Sequence, residues 1–190
     1  LSCQNKSVQA GTSVLCYADI YDVHKNRVES KSFKNALRSY GVSTTGEVLD
    51  GEIEFVSAKK QFQVSFTGEK VGVISTTLEY RSFSGWVKLK ANNKFTITPA
   101  EISANKIQIK CVAPENVEQK VKCYFDTYDA YMNPNGADGL GGVLFQVEAK
   151  KSGHPDVIGN EVFLKDNTYR SDLEITKSGV WTISATYNGK

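Results

Sequence analysis

Polar and apolar residues alternate with a period of two along much of the chain, the mark of strands with one buried face. In the stretch from Val14 to Tyr21, Val14, Cys16, Ala18 and Ile20 fall on one face, and Leu15, Tyr17, Asp19 and Tyr21 on the other. A second stretch does the same, with Val121, Cys123, Phe125 and Thr127 inward and Lys122, Tyr124, Asp126 and Tyr128 outward. Further strands are predicted at GEIEFVSA (51–58), QFQVSFTG (61–68), VGVISTTLEY (71–80), FTITPAEI (95–102), GGVLFQVEAK (141–150), NEVFLK (160–165), TYRSDLEI (168–175) and VWTISATY (180–187). Turn residues separate them, among them Thr67-Gly68-Glu69, Asn133-Pro134-Asn135-Gly136 and Ser178-Gly179. Only SFKNALRSY (32–40) reads as a short helix. Short strands at this spacing predict an all-β chain built of β-sandwiches.

The frame C-Y-x-D-x-Y-D occurs twice, at 16–22 and at 123–129, 107 positions apart. Each copy has a second cysteine about a dozen residues upstream, Cys3 and Cys111. SFSGWVKLKANNK (82–94) resembles TKSGVWTISATYNGK (176–190), and ISTTLEYR (74–81) resembles NTYRSDLEI (167–175). The chain thus reads as two diverged copies of one unit, residues 1–103 and 104–190, with the first longer in its middle between about Arg27 and Val71. FTITPAEI serves as the last strand of copy one, and copy two has no counterpart to it. Leu1-Ser2-Cys3 likewise begins where Ile109-Lys110-Cys111 does, and the first residue is not a methionine, as in a processed product or a piece of a longer protein. Two readings stay open: the strand lies downstream in a longer tandem array, or another subunit supplies it and builds a fibre.

Composition narrows the classes. Of 190 residues, 40% are hydrophobic and 23% charged, with a net charge of +2, so nothing marks a nucleic-acid binder. No apolar run approaches the roughly 20 residues a membrane span requires. The four cysteines lack zinc spacing. Their placement within the repeat gives two local disulfides, Cys3 with Cys16 and Cys111 with Cys123, and hence an oxidising compartment, extracellular or at the cell surface. Four buried free thiols in a cytosolic protein are the competing reading. A bridge closing a loop of about 14 residues stabilises by roughly 3 kcal/mol, which matters for so small a sandwich. Asn5-Lys6-Ser7 is an N-glycosylation sequon.

The run C-Y-F-D-T-Y-D-A-Y-M-N-P-N-G (123–136) resembles the strand–turn of filamin-type and bacterial invasin-type immunoglobulin-like repeats, although Met132 stands where those families usually have glycine. Asp166-Asn167-Thr168-Tyr169, followed by Lys177-Ser178-Gly179-Val180-Trp181-Thr182-Ile183, is similar to the filamin pattern D-G-x-Y then x-G-x-Y-x-I. The resemblance implies two tandem immunoglobulin-like β-sandwich domains without catalysis, either cytoskeletal cross-linkers inside cells or adhesion proteins outside them. The cysteine pairs favour the extracellular branch.

Candidate chemistry is sparse. His24 and His154 sit in turn-like segments, one per copy, and Asp19 and Asp22 point to different faces of a strand, so no catalytic set or cofactor site is read. Asp129, Asn133, Asn135 and Asp138 cluster with Gly136 and could offer oxygen ligands to calcium; copy one has only Asp22, Asn26 and Glu29 there. The alternative is a turn whose Asp and Asn satisfy backbone groups. Tyr17, Tyr21, Tyr124 and Tyr128 stand outward and form either cross-strand packing or a repeated contact surface. The expected function is a non-catalytic extracellular structural or adhesion protein, with fibre assembly by strand complementation as one form of it. Its partners would be itself or neighbouring immunoglobulin-like modules, another surface protein, or a glycan. The alternative is a receptor or lectin-like module that recognises a protein or glycan through loops 129–142.

Overall fold

The computed structural model describes residues 1–90, 93–112, 120–137 and 145–189. They form two compact units, Leu1–Pro99 and Ala100–Lys190. Both are all-β and sandwich-like, each with one disulfide.

Unit 1 comprises β1 (Ser2–Cys3), β2 (Ser7–Gln9), β3 (Ser13–Ala18), β4 (Leu37–Ser43), β5 (Val48–Val56), β6 (Gln61–Thr67), β7 (Gly72–Ser82), β8 (Gly85–Lys88) and β9 (Asn93–Thr98). Their order is β1-β3-β6-β5-β4-β7-β9-β2, with β8 hairpinned onto β7. One strand holds the two layers together. Gly51 of β5 pairs with Ser39 of β4, and the next residue, Glu52, pairs with Ser65 of β6. A Cβ on Gly51 would lie 2.7 Å from a Phe66 ring carbon and 2.8 Å from a Val64 methyl, so this crossing fits glycine alone. Between the layers lie Val14, Cys16, Phe62, Val64, Phe66, Ile74, Leu78, Phe95 and Ile97, all essentially inaccessible.

The helix expected over 32–40 is not formed as such. Lys31–Ala36 is a 3-10 turn with no buried residue, and Leu37–Ser43 is β4. Leu37, Ser39, Gly41 and Ser43 alternate inward, and the Ser39 hydroxyl donates to Thr77 O at 2.8 Å. That bond lets a polar residue occupy a core-facing position, and it hides the period-two pattern from the sequence.

Unit 2 comprises β10 (Gln108–Val112), β11 (Val121–Asp126), β12 (Phe145–Lys150), β13 (Val157–Ile158), β14 (Asn160–Lys165), β15 (Thr168–Leu173) and β16 (Thr182–Tyr187). They form two sheets, β10-β11-β15-β14 and β13-β12-β16. The core gathers Val121, Cys123, Phe125, Phe145, Val147, Tyr169 and Leu173. Phe145 stacks on Phe125 with ring centroids 4.9 Å apart, and it meets Tyr169 and Tyr187 at 5.4 Å each.

Strand registers define the repeat more sharply than residue identities do. Cys16 pairs with Val64 and Ala18 with Phe62 across β3 and β6. Cys123 pairs with Ser171 and Phe125 with Tyr169 across β11 and β15, each residue 107 positions on from its counterpart. Hence β15 corresponds to β6. β16, which pairs with β12, corresponds to β7, which pairs with β4. Matching 74–81 with 167–175 is therefore one strand out, and the expected extra length between Arg27 and Val71 is not there. The inward residues of both copies of the C-Y-x-D strand are buried as their alternation requires.

Both disulfides join directly opposed residues. Cys3 faces Cys16 across β1 and β3, and Cys111 faces Cys123 across β10 and β11. No cysteine is free, which excludes the reading of four thiols.

Candidate functional site

Each C-Y-x-D strand runs into a loop governed by its final aspartate. In unit 2 the Asp129 carboxylate accepts the backbone N–H of Tyr131 and of Asn133, both at 2.9 Å on Oδ1. Its Oδ2 accepts the Asn133 side-chain amide at 2.8 Å and the backbone N–H of Ala100 at 3.0 Å. Asp129 N–H donates to Asn133 O at 3.0 Å and closes the loop, with Met132 in the left-handed region at φ 65°. Asp129 is wholly buried. Burial pushes its carboxyl pKa upward, but the donors from Asn133, Ala100 and Tyr131 outweigh it and hold the group below the ordinary aspartate value.

The segment entering unit 2 lies over this loop. Ile102 bridges to Asp129, Ser103 N–H donates to Tyr128 O at 2.9 Å, and the Asn135 side-chain amide donates to Ala100 O. Asn167, in the turn before β15, and Tyr169 of β15 support it: Asn167 Nδ2 donates to Thr127 O at 2.8 Å, and the Tyr169 hydroxyl accepts the Ala137 N–H at 3.0 Å.

Unit 1 carries the same loop. Asp22 Oδ1 accepts the backbone N–H of His24 and of Asn26, both at 2.8 Å, and Oδ2 accepts the Asn26 amide at 3.0 Å. Asp22 N–H donates to Asn26 O, and Lys25 takes a φ of 67°. Tyr21 bridges Arg27 as Tyr128 bridges Pro134. These bonds, the Asn26 side chain foremost, lower the Asp22 pKa. The two loops differ in cover, for Asp22 and Asn26 are exposed whereas Asp129 and Asn133 are buried.

Sequence reasoning placed Asp129, Asn133 and Asn135 together, and the structure does bring them together. They act there as a backbone clasp, the alternative to calcium ligation; Asp138 lies outside the described residues. Among the described residues no three His, Cys, Asp or Glu side chains gather as a metal cluster. Of loops 129–142, residues 138–142 also lie outside the description. Tyr17 is half-buried with Lys59 Nζ 4.7 Å over its ring, and Tyr124 is half-buried between Lys110 and Arg170 of the flanking strands. Tyr128 is half-buried beneath the entering segment, and Tyr21 is 58% exposed. Asn5 is exposed between β1 and β2. His24 is exposed in the Asp22 loop, and the His154 ring lies 5.9 Å from that of Trp181. What the sequence did not signal is Ala100: a small residue that contributes only its N–H carries no side-chain mark.

The second feature is an edge. β7 is paired on both sides, by β4 and by β9, and its Ile74, Thr76 and Leu78 are buried. β16 is paired by β12 and, among the described residues, by no strand on its other side. Its core-facing Ile183, Ala185 and Tyr187 are only partly buried. No described helix is long and apolar enough to cross a membrane.

No protein-family model matches the chain, and no curated protein matches it. Among solved structures, that of Yersinia pseudotuberculosis InvD is similar over 99% of this chain, with a TM-score of 0.49 and 15% identity. The match covers 52% of that chain, so the present chain spans about half its length. A likeness this distant assigns neither partner nor activity, and the filamin-type resemblance gains nothing from it.

Proposed function

We propose that the chain is a pair of tandem immunoglobulin-like modules from a non-catalytic extracellular structural or adhesion protein, and that the β16 edge takes a further strand, supplied by downstream sequence of a longer array or by a neighbouring subunit. The observation that carries the reading is the contrast between β7 and β16. In unit 1, β9 covers the edge of β7 and inserts Phe95 and Ile97 into the core. In unit 2 no described strand pairs with the corresponding edge, and half-covered Ile183, Ala185 and Tyr187 lie behind it. A strand edge backed by open core accepts an added strand through main-chain bonds, with alternate side chains filling the core. The two disulfides suit an oxidising exterior. They pin the first strand of each unit, so that opening at β16 leaves the rest of the sandwich closed.

A peptide of residues 93–102 carries the strand that covers β7 and is the natural probe. Added to the 190-residue chain, it should bind and bring the β16 amides under protection from hydrogen exchange. A chain that stays monomeric in light scattering, ignores the peptide and keeps β16 exchanging freely would remove the reading.

A further inference from the structure

The two aspartate loops are equivalent in the bonds their aspartates make within the loop and unequal in what lies on them. In unit 2, residues 100–103 cross the loop, donate Ala100 N–H to Asp129 Oδ2 and bury the aspartate. In unit 1, among the described residues, only His24 and Asn26 of the loop itself donate N–H bonds to Asp22. The side chains around it stand open, with Val23 92% exposed and Phe83 fully exposed. Beside the loop is a cleft of about 880 Å³ lined by Ile20, Val28, Phe33, Phe83 and Leu89 along with Asp22. An open apolar cleft next to a prepared carboxylate is unusual for a surface turn, since isolated modules seldom leave such patches bare.

We infer that the Asp22 loop and its cleft form a socket for an extended linker strand of an adjoining immunoglobulin-like module, seated as residues 100–103 are seated on Asp129. Three observations specify the occupant. Asp22 Oδ2 has room for a second donor, and its twin uses that atom for a backbone N–H. The direction of approach is set by β1, where Ser2 pairs with Tyr17, so that Leu1 emerges at the Asp22 end of the sandwich. The corresponding pairing in unit 2, Lys110 with Tyr124, continues to Gln108 with Asp126 and places its entering segment at the Asp129 end. Finally, Val28 stands where Asn135 grips Ala100 O, and Ile20 where Thr127 stands. The occupant of unit 1 therefore keeps the backbone bond to the aspartate and presents apolar side chains instead of a carbonyl to the neighbouring position. This site is distinct from the β16 edge, and either can fail without the other.

The test grafts residues 98–108 directly ahead of Leu1 in the full 190-residue chain, which reproduces the spacing of unit 2. The melting temperature of unit 1 should rise, and the grafted amide equivalent to Ala100 should exchange at least about tenfold more slowly than in a free tail. The same graft with Ala100→Pro, which removes the N–H, should lose both effects while unit 2 melts unchanged. A graft that exchanges like a free tail and leaves the melting temperature unmoved would overturn the socket. So would a proline graft that protects as well as the native one, or an ungrafted chain in which two copies bury Val23 and Phe83 against each other.

Discussion

Ala100 N–H points at Asp129 Oδ2 across 3.0 Å, and this bond helps fasten the chain entering unit 2 to the loop that follows its second strand. Asp129→Ala would strand the amides of Ala100, Tyr131 and Asn133 in a buried site. Such a loss costs about 2 kcal/mol or more. Urea unfolding of unit 2 should show it, while Asp22→Ala, in the exposed twin, should have a clearly smaller effect. The pH dependence follows in sign. The Asp129 carboxyl pKa lies below its ordinary value of 3.8, so its stabilisation is present above that pH. It is lost as pH falls through the lowered value.

Glu161 works in the opposite direction. Burial raises its pKa to about 7 from an ordinary 4.5, against the pull of the Phe145 N–H bonded to it at 3.1 Å. The folded state therefore favours the protonated acid. Its contribution is complete below about pH 4.5, declines as pH rises towards 7 and is flat beyond. Glu161→Gln should flatten that slope and make unit 2 more stable than the parent at pH 8, with the two converging near pH 4. Melts across this range decide it.

Met132 sits in the left-handed region at φ 65°, where a side chain is strained. Met132→Gly should relieve the loop. The gain is partly offset by the freer unfolded chain, leaving a net stabilisation of about 0.5–1 kcal/mol. A fall in melting temperature would mean that the half-exposed Met132 side chain contributes more than its backbone strain removes.

Replacing Cys111 and Cys123 together by alanine opens a loop with a sequence separation of 12. About 3 kcal/mol should be lost on the chain-entropy account. Denaturant midpoints of the double variant against the oxidised parent test this, and the matching pair in unit 1 should behave alike.

Much of this was legible in the residues. Alternation gave the inward faces of β3 and β11, and the C-Y-x-D frame gave the cysteine pairs and both aspartate loops. The middle of the repeat was not legible, because β6 and β15 share a register while sharing almost no residue types: Val64 stands where Ser171 does, and Phe62 where Tyr169 does. β4 escaped notice because Ser39, Gly41 and Ser43 satisfy a buried face without being hydrophobic. The cover on Asp129 could not be read at all, since it depends on a main-chain N–H 29 positions before the aspartate.

The passage of β5 from one layer of unit 1 to the other has a consequence under load. All nine strands of that unit belong to one continuous hydrogen-bonded ladder, so its layers cannot slide apart without breaking main-chain bonds at Gly51. The described strands of unit 2 form two separate sheets held face to face by side chains such as Phe125 and Phe145. Among the described strands, parting the layers of unit 2 breaks side-chain contacts alone, whereas parting those of unit 1 breaks main-chain bonds as well.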